Sequence, residues 1–577
     1  MEQKLDSDFY TEIISLLKSR QFGIGGLTKL KIKLCRKYGL KKIPTDIEIL
    51  LNAQQDDLKD IKLVTKPTRT ISGVAVVALM SAPLSCPHGR CTFCPGGPGS
   101  VFGDTPQSYT GKEPSTMRAI RAGYDPYLIV FNRLEQYAVT GHNFDKVEMI
   151  IQGGTFPSYD EEYQETFVKD AFRAMNDFSE IFFENSGFDY LKFKEFFELP
   201  GDIRSPERTK RIQGKILEIK NRNNSKNIST LESEQLRNET AKTRCVALCI
   251  ETKPDFSKEE HINEMLKLGT TRVELGVQTL HDEILTRTNR GHLMRDTIEA
   301  TQLLKDSFLK AGYHMMPGLP GSDREKDIGA FRELFENPDY KPDNLKIYPC
   351  MVMPGTELYE EWKQGSYKPL TTKEAAEIIV EGKRFIPEYC RVMRVQRDIP
   401  TYVTSAGVDR TNLRQYVDML KKEKGIECRC IRCREPKTKN VDFGSVEITR
   451  KEYESSGGTE IFIAAEDKAN DLLLGFCRLR LPHKPFRKEI TPDSAGIREL
   501  HVFGPAAGLG LKTAEAVQHK GLGKALMAEA ERTAKEDFGK SKLLVTSGVG
   551  AREYYRKLGY EREGAYMGKA LRNSPNV

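Results

Sequence analysis

The 577-residue chain has no apolar run of about 18 residues, so no helix is expected to cross a membrane. Its opening MEQKLDSDFY is acidic and polar, which is not the pattern of a secretory signal. There is no internal repeat and no long low-complexity tract. These absences lead us to expect a protein that stays in the reducing cytoplasm. Twelve cysteines there argue for metal binding or catalysis rather than disulfides. The length is too great for one core, and three or four domains are expected. Acidic residues are also missing locally. Lys18 to Lys42 holds nine Lys/Arg and no Asp or Glu. Arg391 to Asn440 holds thirteen basic residues against six acidic ones. Such patches are either a nucleic-acid footprint or a solvated basic surface.

What is present centres on Cys86-Pro-His-Gly-Arg-Cys91-Thr-Phe-Cys94-Pro-Gly-Gly. Three thiolates within nine residues suit an iron–sulfur cluster left one ligand short. Zinc is the alternative, with His88 as fourth ligand. The loop follows Ile71–Leu79, an apolar β-branched run that reads as a buried strand. Five more runs read likewise: Val147–Ile151, Val246–Thr252, Thr271–Gln278, Tyr313–Met316 and Leu345–Cys350. Helical stretches such as Tyr159–Phe178 and Met294–Ala311 separate them. Six strand–helix units predict an α/β fold built on a partial (βα)6 TIM-like barrel. Chemistry is then expected at the strand ends, where Glu251, Lys253, Asp255, Glu274, Gln278, Arg290, His292 and His314 fall. Each is equally readable as a satisfied core polar group.

Residues 1–70 read as a small helical basic module, 71–390 as the barrel, 391–440 as a linker and 441–577 as a second α/β domain. Residues 201–244 interrupt the barrel as a helix plus an exposed loop. The linker carries Cys428-Arg-Cys430-Ile-Arg-Cys433, most of a structural zinc site. Its fourth ligand is expected from Cys350, with Cys390 as the alternative; a second iron–sulfur cluster stays open. The last domain opens with Ser445–Ile463 and Asp471–Leu481 as two antiparallel strands, followed by Ala495–Phe503. Then comes Gln518-His519-Lys520-Gly521-Leu522-Gly523-Lys524, opening a helix over Gly521–Asp537. Its backbone amides and helix start suit a pyrophosphate.

The cysteine loop and Gln152-Gly153-Gly154-Thr155 resemble the radical S-adenosylmethionine superfamily, although four residues rather than the usual three separate Cys86 from Cys91. The resemblance implies a 4Fe-4S cluster on Cys86, Cys91 and Cys94. It also implies that Gly153 and Gly154 contact S-adenosylmethionine. The Gln518–Lys524 stretch and Ala551–Tyr560 resemble GNAT acetyltransferases. That implies acetyl-CoA on the loop and a thioester contact from Tyr554 or Tyr555, one of which is as readily a packing aromatic. Together, CPHGRCTFCPGG, SYTGKEPSTMRAIRAGYDPY, QGGTF, IETKPD, VELGVQ, GYHMMPGLPGS, MRVQRDIP, NLR and HKGLGKAL resemble the Elongator catalytic-subunit family, archaeal or bacterial type. What this implies is a tRNA-modifying acyltransferase that carboxymethylates C5 of the wobble uridine, position 34, using both halves. Its partners would be the tRNA anticodon stem-loop, acetyl-CoA and an electron donor, without the other Elongator subunits. Lys29, Lys31, Lys33, Arg36 and Lys37, with Arg394, Arg397 and Arg414, would hold the tRNA, unless the last three bridge domains instead. Two rivals stay open: a protein lysine acetyltransferase using the GNAT half alone, and a non-catalytic RNA-binding scaffold.

Overall fold

The computed structural model describes residues 2–571 apart from 21, 23, 41, 55, 62, 64–69, 71–72, 186, 204, 225–228, 438 and 504–520. All six expected strands are present: β1 Ala75–Met80, β2 Lys146–Gln152, β3 Arg244–Thr252, β4 Arg272–Gln278, β5 Lys310–Met315 and β6 Asn344–Ile347. A seventh, β7 Arg391–Arg394, adds to the edge beside β6. It was read as linker because four residues with arginine at both ends carry no strand signal. All seven strands are parallel and in chain order.

Successive side chains alternate between the two faces of each strand. One parity is apolar. Val273, Leu275 and Val277 of β4 and Ala311, Tyr313 and Met315 of β5 join one core with the surrounding helices. Each of the Val, Leu and Met side chains among them stabilises by roughly 1.5–3 kcal/mol. The other parity faces the barrel interior and is polar, including Glu148, Glu251, Arg272, Glu274, Lys310 and Lys346.

Several boundaries shift. The helix expected over Met294–Ala311 stops at Asp306, because Phe308 turns with φ 60° and β5 begins at Lys310. Residues 201–244 hold two helices, Pro206–Asn224 and Leu231–Thr240. Thr230 caps the second one through the Ser233 amide. Its Glu239 takes Arg552 at 3.0 Å, tying it to the C-terminal domain. Glu2–Ser19, Ile24–Tyr38 and Asp46–Asn52 are helices around Phe9, Ile13, Leu34 and Ile49.

The C-terminal domain has β8 Val446–Ser455, β9 Gly458–Asp467, β10 Leu472–Leu481, β11 Ser494–Val502, β12 Lys542–Val545, β13 Glu561–Glu563 and β14 Tyr566–Ala570. The sheet order is β8-β9-β10-β11-β12-β14-β13. Only β11 and β12 run parallel; the other pairs are antiparallel. The stretch read as one strand, Ser445–Ile463, is a hairpin. Ser456 and Gly457 have φ of 50° and 72°, the two left-handed positions of a tight turn. Arg480 and Arg498 are fully buried where this domain meets the barrel, paired with Asp306, Asp343 and Glu460. Among the described residues, no helix is long and apolar enough to cross a membrane.

Candidate active site

The chain leaves β1 into the cysteine loop, and Cys86, Cys91 and Cys94 line one pocket at the carboxyl ends of the strands. Gly153 and Gly154 follow β2 with φ of 125° and 93°, and Gly154 forms part of the pocket wall. A Cβ on Gly153 would stand 2.2 Å from the Ser81 hydroxyl, and one on Gly154 would stand 3.8 Å from the Cys86 sulfur. Only glycine meets both demands. The loop and the Gly-Gly turn thus come together as expected.

The sulfurs are surrounded by donors. Arg290 Nη1 lies 3.2 Å from Cys91 Sγ, and the Ser108 amide donates to Cys94 Sγ at 3.1 Å. Burial and the neighbouring Cys91 push the Cys94 thiol up to about 11. His88 Nε2 stands 3.3 Å from Cys91 Sγ, and burial with Lys253 and Arg290 lowers it to about 4. Three thiols converging on one pocket under cationic and amide donors fit an iron–sulfur cluster, since hydrogen bonds to sulfur tune such centres.

Glu251, Lys253, Gln278, Arg290 and His314 line the pocket, but Asp255 and His292 do not. Glu274 sits one layer deeper, 2.9 Å from His314 Nε2. Lys346 bridges it to Glu251. Buried carboxylates would be neutral alone; Lys346 and His314 hold Glu251 below the usual range against burial. Gln107, Tyr109 and Tyr348 also line the pocket and were not anticipated. Tyr109 donates to Glu251 at 3.2 Å. The signal for Tyr109 lay in the SYTGKEP stretch, quoted without a role.

The basic residues divide. Arg394 and Arg397 reach the pocket wall. Arg414 instead points at the Val392 and Met393 carbonyls, 3.5 and 3.4 Å away. Lys29, Lys33, Arg36 and Lys37 are exposed on the second helix. Lys31 is not available there: it is buried on the apolar stripe and paired with Asp46.

The sulfurs of Cys428, Cys430 and Cys433 lie within 4.8 Å of one another, which fits a zinc ion. Cys350 is not brought to them. It packs with Cys91, Cys94, Phe93 and Tyr367 beneath the cysteine loop. Cys390 is beside the triad, its carbonyl accepting from the Ile431 amide at 3.0 Å. Lys383 Nζ lies 3.5 Å from Cys428 Sγ. Burial disfavours that ammonium, but the three cysteines hold its pKa up.

In the C-terminal domain, Gln518, His519 and Lys520 lie outside the described residues. Gly521, with φ 78°, caps the helix Leu522–Arg532, and its carbonyl takes the Lys524 amide at 3.0 Å. Leu522, Gly523 and Lys524 form the first turn, and the amides of Leu522 and Gly523 at this helix start suit an anion. A Cβ on Gly523 would stand 2.9 Å from the Tyr554 hydroxyl and 3.8 Å from Val502. Tyr554 is 36% exposed, whereas Tyr555 packs in the domain core against Tyr560. The two candidate tyrosines are thereby separated into one that stands exposed beside the helix start and one that fills the core.

Known proteins share this arrangement. The chain matches the ELP3 N-terminal domain over residues 7–71 and the Radical SAM superfamily over 210–333. It matches the Radical_SAM C-terminal domain over 342–423 and the Acetyltransferase (GNAT) family over 432–560. It is 52% identical over 537 residues to the tRNA uridine(34) acetyltransferase of Methanocaldococcus jannaschii, covering 92% of this chain and 90% of that one. It is 39% identical over 558 residues to Elongator complex protein 3 of Homo sapiens, covering 95% and 93%. The structure of the archaeal Methanocaldococcus infernus Elp3 with N-terminus deletion (1-46) superposes with a TM-score of 0.69 at 45% identity, covering 87% of this chain and all of that one. With a partial radical S-adenosylmethionine barrel joined to a GNAT domain and relatives matched over nine-tenths of its length, the chain belongs to the family of Elongator complex protein 3 and the tRNA uridine(34) acetyltransferases.

Proposed function

We propose that the protein joins the methyl carbon of acetyl-CoA to C5 of the wobble uridine of tRNA, one hydrogen leaving each carbon and S-adenosylmethionine taking up the two electrons released, and that water then cleaves the thioester to leave a 5-carboxymethyl group and free CoA. The observation that carries this reading is the convergence of Cys86, Cys91, Cys94 and Gly154 on one pocket whose wall is basic Arg394 and Arg397. A 4Fe-4S cluster with S-adenosylmethionine supplies one-electron chemistry able to remove hydrogen from the acetyl methyl group. The chain's own residues do the rest. Cys86, Cys91 and Cys94 hold the cluster, and Gly153 and Gly154 let the cofactor approach the backbone. Arg394 and Arg397 take phosphates of the anticodon loop, whose unpaired base is easily splayed out. Lys29, Lys33, Arg36 and Lys37 extend that basic surface. In the GNAT half the Gln518–Lys524 stretch holds the pyrophosphate of acetyl-CoA. Tyr554 meets the thioester.

Cys428, Cys430 and Cys433 hold a structural zinc ion, with Cys390 as the fourth donor once Lys383 gives way. An external donor supplies electrons, and the protein acts in the cytoplasm without the other Elongator subunits. A lysine acetyltransferase using the GNAT half alone leaves the cysteine pocket without a role. Cys91→Ser tests the choice. The variant is expected to bind tRNA normally and to lose wobble-uridine modification. Unchanged modification would sink the radical reading, and lysine acetylation with no effect on tRNA would favour the rival.

A further inference from the structure

The GNAT sheet meets the barrel at its floor, where the strands begin. β11 and β12 pair only from Ser494–Lys542 to Ile497–Val545. Beyond Ile497, β11 runs on through Arg498–Val502 without β12 beside it. This diverging end lies over the starts of β5 and β7. Arg498 Nη1 reaches the Leu309 carbonyl at 2.9 Å, and Glu499 lies 3.4 Å from Lys310 Nζ. The Arg391 guanidinium lies 5.8 Å over the Phe503 ring. The chain leaving β12 lies over the start of β3. A Cβ on Gly548 would stand 2.0 Å from the Val246 carbonyl oxygen, and one on Gly550 2.4 Å from Arg244 Cβ. The wedge between β11 and β12 therefore straddles the barrel floor, with Gly523 between Val502 and Tyr554 at its mouth.

Above that floor, charge runs through the lumen from end to end. Arg272 is 2.6 Å from Glu148 and 3.2 Å from Glu274. Lys346 then links Glu274 to Glu251, which accepts from Tyr109 in the cysteine pocket. Barrels of this kind ordinarily fill with branched aliphatic layers. Here a donor in the lumen, Asn344 Nδ2, is buried and has no hydrogen-bond partner among the described residues; nor does His501 Nε2 at the floor. Each such group costs about 1–3 kcal/mol unless something polar meets it. Gly312, midway along β5, leaves the lumen without a side chain; a Cβ there would stand 3.1 Å from Glu274 Cγ and 3.4 Å from Asn344 Cβ.

We propose that the acyl end of a CoA thioester seated in the GNAT wedge enters the barrel through its floor, and that the charged lumen is its passage to the pocket of Cys86, Cys91 and Cys94. This rests on the function proposed above, which needs the acetyl group and the cysteine pocket to meet. The path from Lys310 to His314 is four residues of β5, about 13 Å at about 3.3 Å per residue. Lys346 closes it by bridging Glu251 and Glu274. Its flexible stem lets the ammonium swing aside and donate to the passing acyl carbonyl.

The test uses the full chain and a CoA thioester whose acyl group carries a diazirine. Photolysis and peptide mapping are expected to place adducts on inward residues of β4, β5 and β6, competed away by acetyl-CoA. Gly312→Val fills the lumen and is expected to cut those adducts at least about tenfold, equivalent to about 1.4 kcal/mol of occupancy, while adducts beside Tyr554 persist. Gly312→Ala gives a smaller loss and serves if the valine variant does not fold. Wild-type adducts confined to the wedge, or a Gly312→Val lumen labelled as wild type is, overturn the passage. If the wild type modifies tRNA while its lumen stays unlabelled, only the passage fails. If the lumen is labelled but wobble uridine is never changed, the functional reading fails instead.

Discussion

Arg498 holds Asp343 with both arms, Nη1 on one carboxylate oxygen and Nη2 on the other, each at 2.7 Å, with neither residue exposed. Asp343 closes the barrel side of the junction and its backbone neighbours begin β6, so this pair fixes the wedge over the barrel floor. Arg498→Ala removes the bidentate partner of a buried carboxylate and leaves it Arg478 at 3.5 Å and the Ala311 amide, so a loss of about 3 kcal/mol is expected. Urea denaturation measures it. A loss under about 1 kcal/mol, the level of an exposed pair, would contradict the burial.

Lys305 lies in the same junction, donating to the Lys341 carbonyl at 2.7 Å and to Ser455. Burial pushes it down to about 7, with Asp343 and Glu460 opposing. The unfolded value is about 10.4. Between these values the unfolded chain binds a proton that the folded chain does not, so stability rises with pH across that window, by up to about 1.4 kcal/mol per unit. Lys305→Met should lose that rise. Equal slopes from pH 7.5 to 9.5 in both proteins would show that Lys305 stays charged.

Tyr554 and Tyr555 are adjacent but separable. Tyr554→Phe removes the hydroxyl at the helix start and is expected to slow CoA release by roughly 10²-fold or more, with little change in stability. Tyr555→Ala empties part of the core and should cost about 3–5 kcal/mol. Steady-state kinetics and thermal melts check both. The reverse pattern would assign the thioester contact to Tyr555.

The zinc prediction separates Cys390 from Cys350. Cys430→Ser and Cys390→Ser are expected to lose about one equivalent of zinc, read by elemental analysis. Cys350→Ser should keep it. Retention in Cys390→Ser with loss in Cys350→Ser would restore the reading made from sequence.

The Cys350 choice shows where sequence reasoning stops. Cys86, Cys91, Cys94 and Gly153-Gly154 were legible because each set of groups lies within a few residues, and the strand signals place both at one end of the barrel. Cys350 and Cys390 both lie far before Cys428 along the chain, at 78 and 38 residues, and only the fold tells which of them comes beside it. Tyr109 and Lys346 escaped for a related reason. Their roles depend on register, which sets which parity of β6 faces Glu251, and no local pattern of Leu-Lys-Ile-Tyr carries that information. β7 was missed because a four-residue strand on a sheet edge has little apolar content. Ser456-Gly457 was a readable turn, but the runs on either side carried enough β-branched residues to hide it.

The measurement that tests the central claim most directly is nucleoside mass analysis of tRNA incubated anaerobically with the cluster-loaded protein, S-adenosylmethionine, a reductant and acetyl-CoA carrying carbon-13 at both acetyl positions. The account predicts a wobble uridine carrying a 5-carboxymethyl group with both labelled carbons, and free CoA that appears only when tRNA is present. A wobble uridine without label, or label found on protein lysines instead, would contradict it.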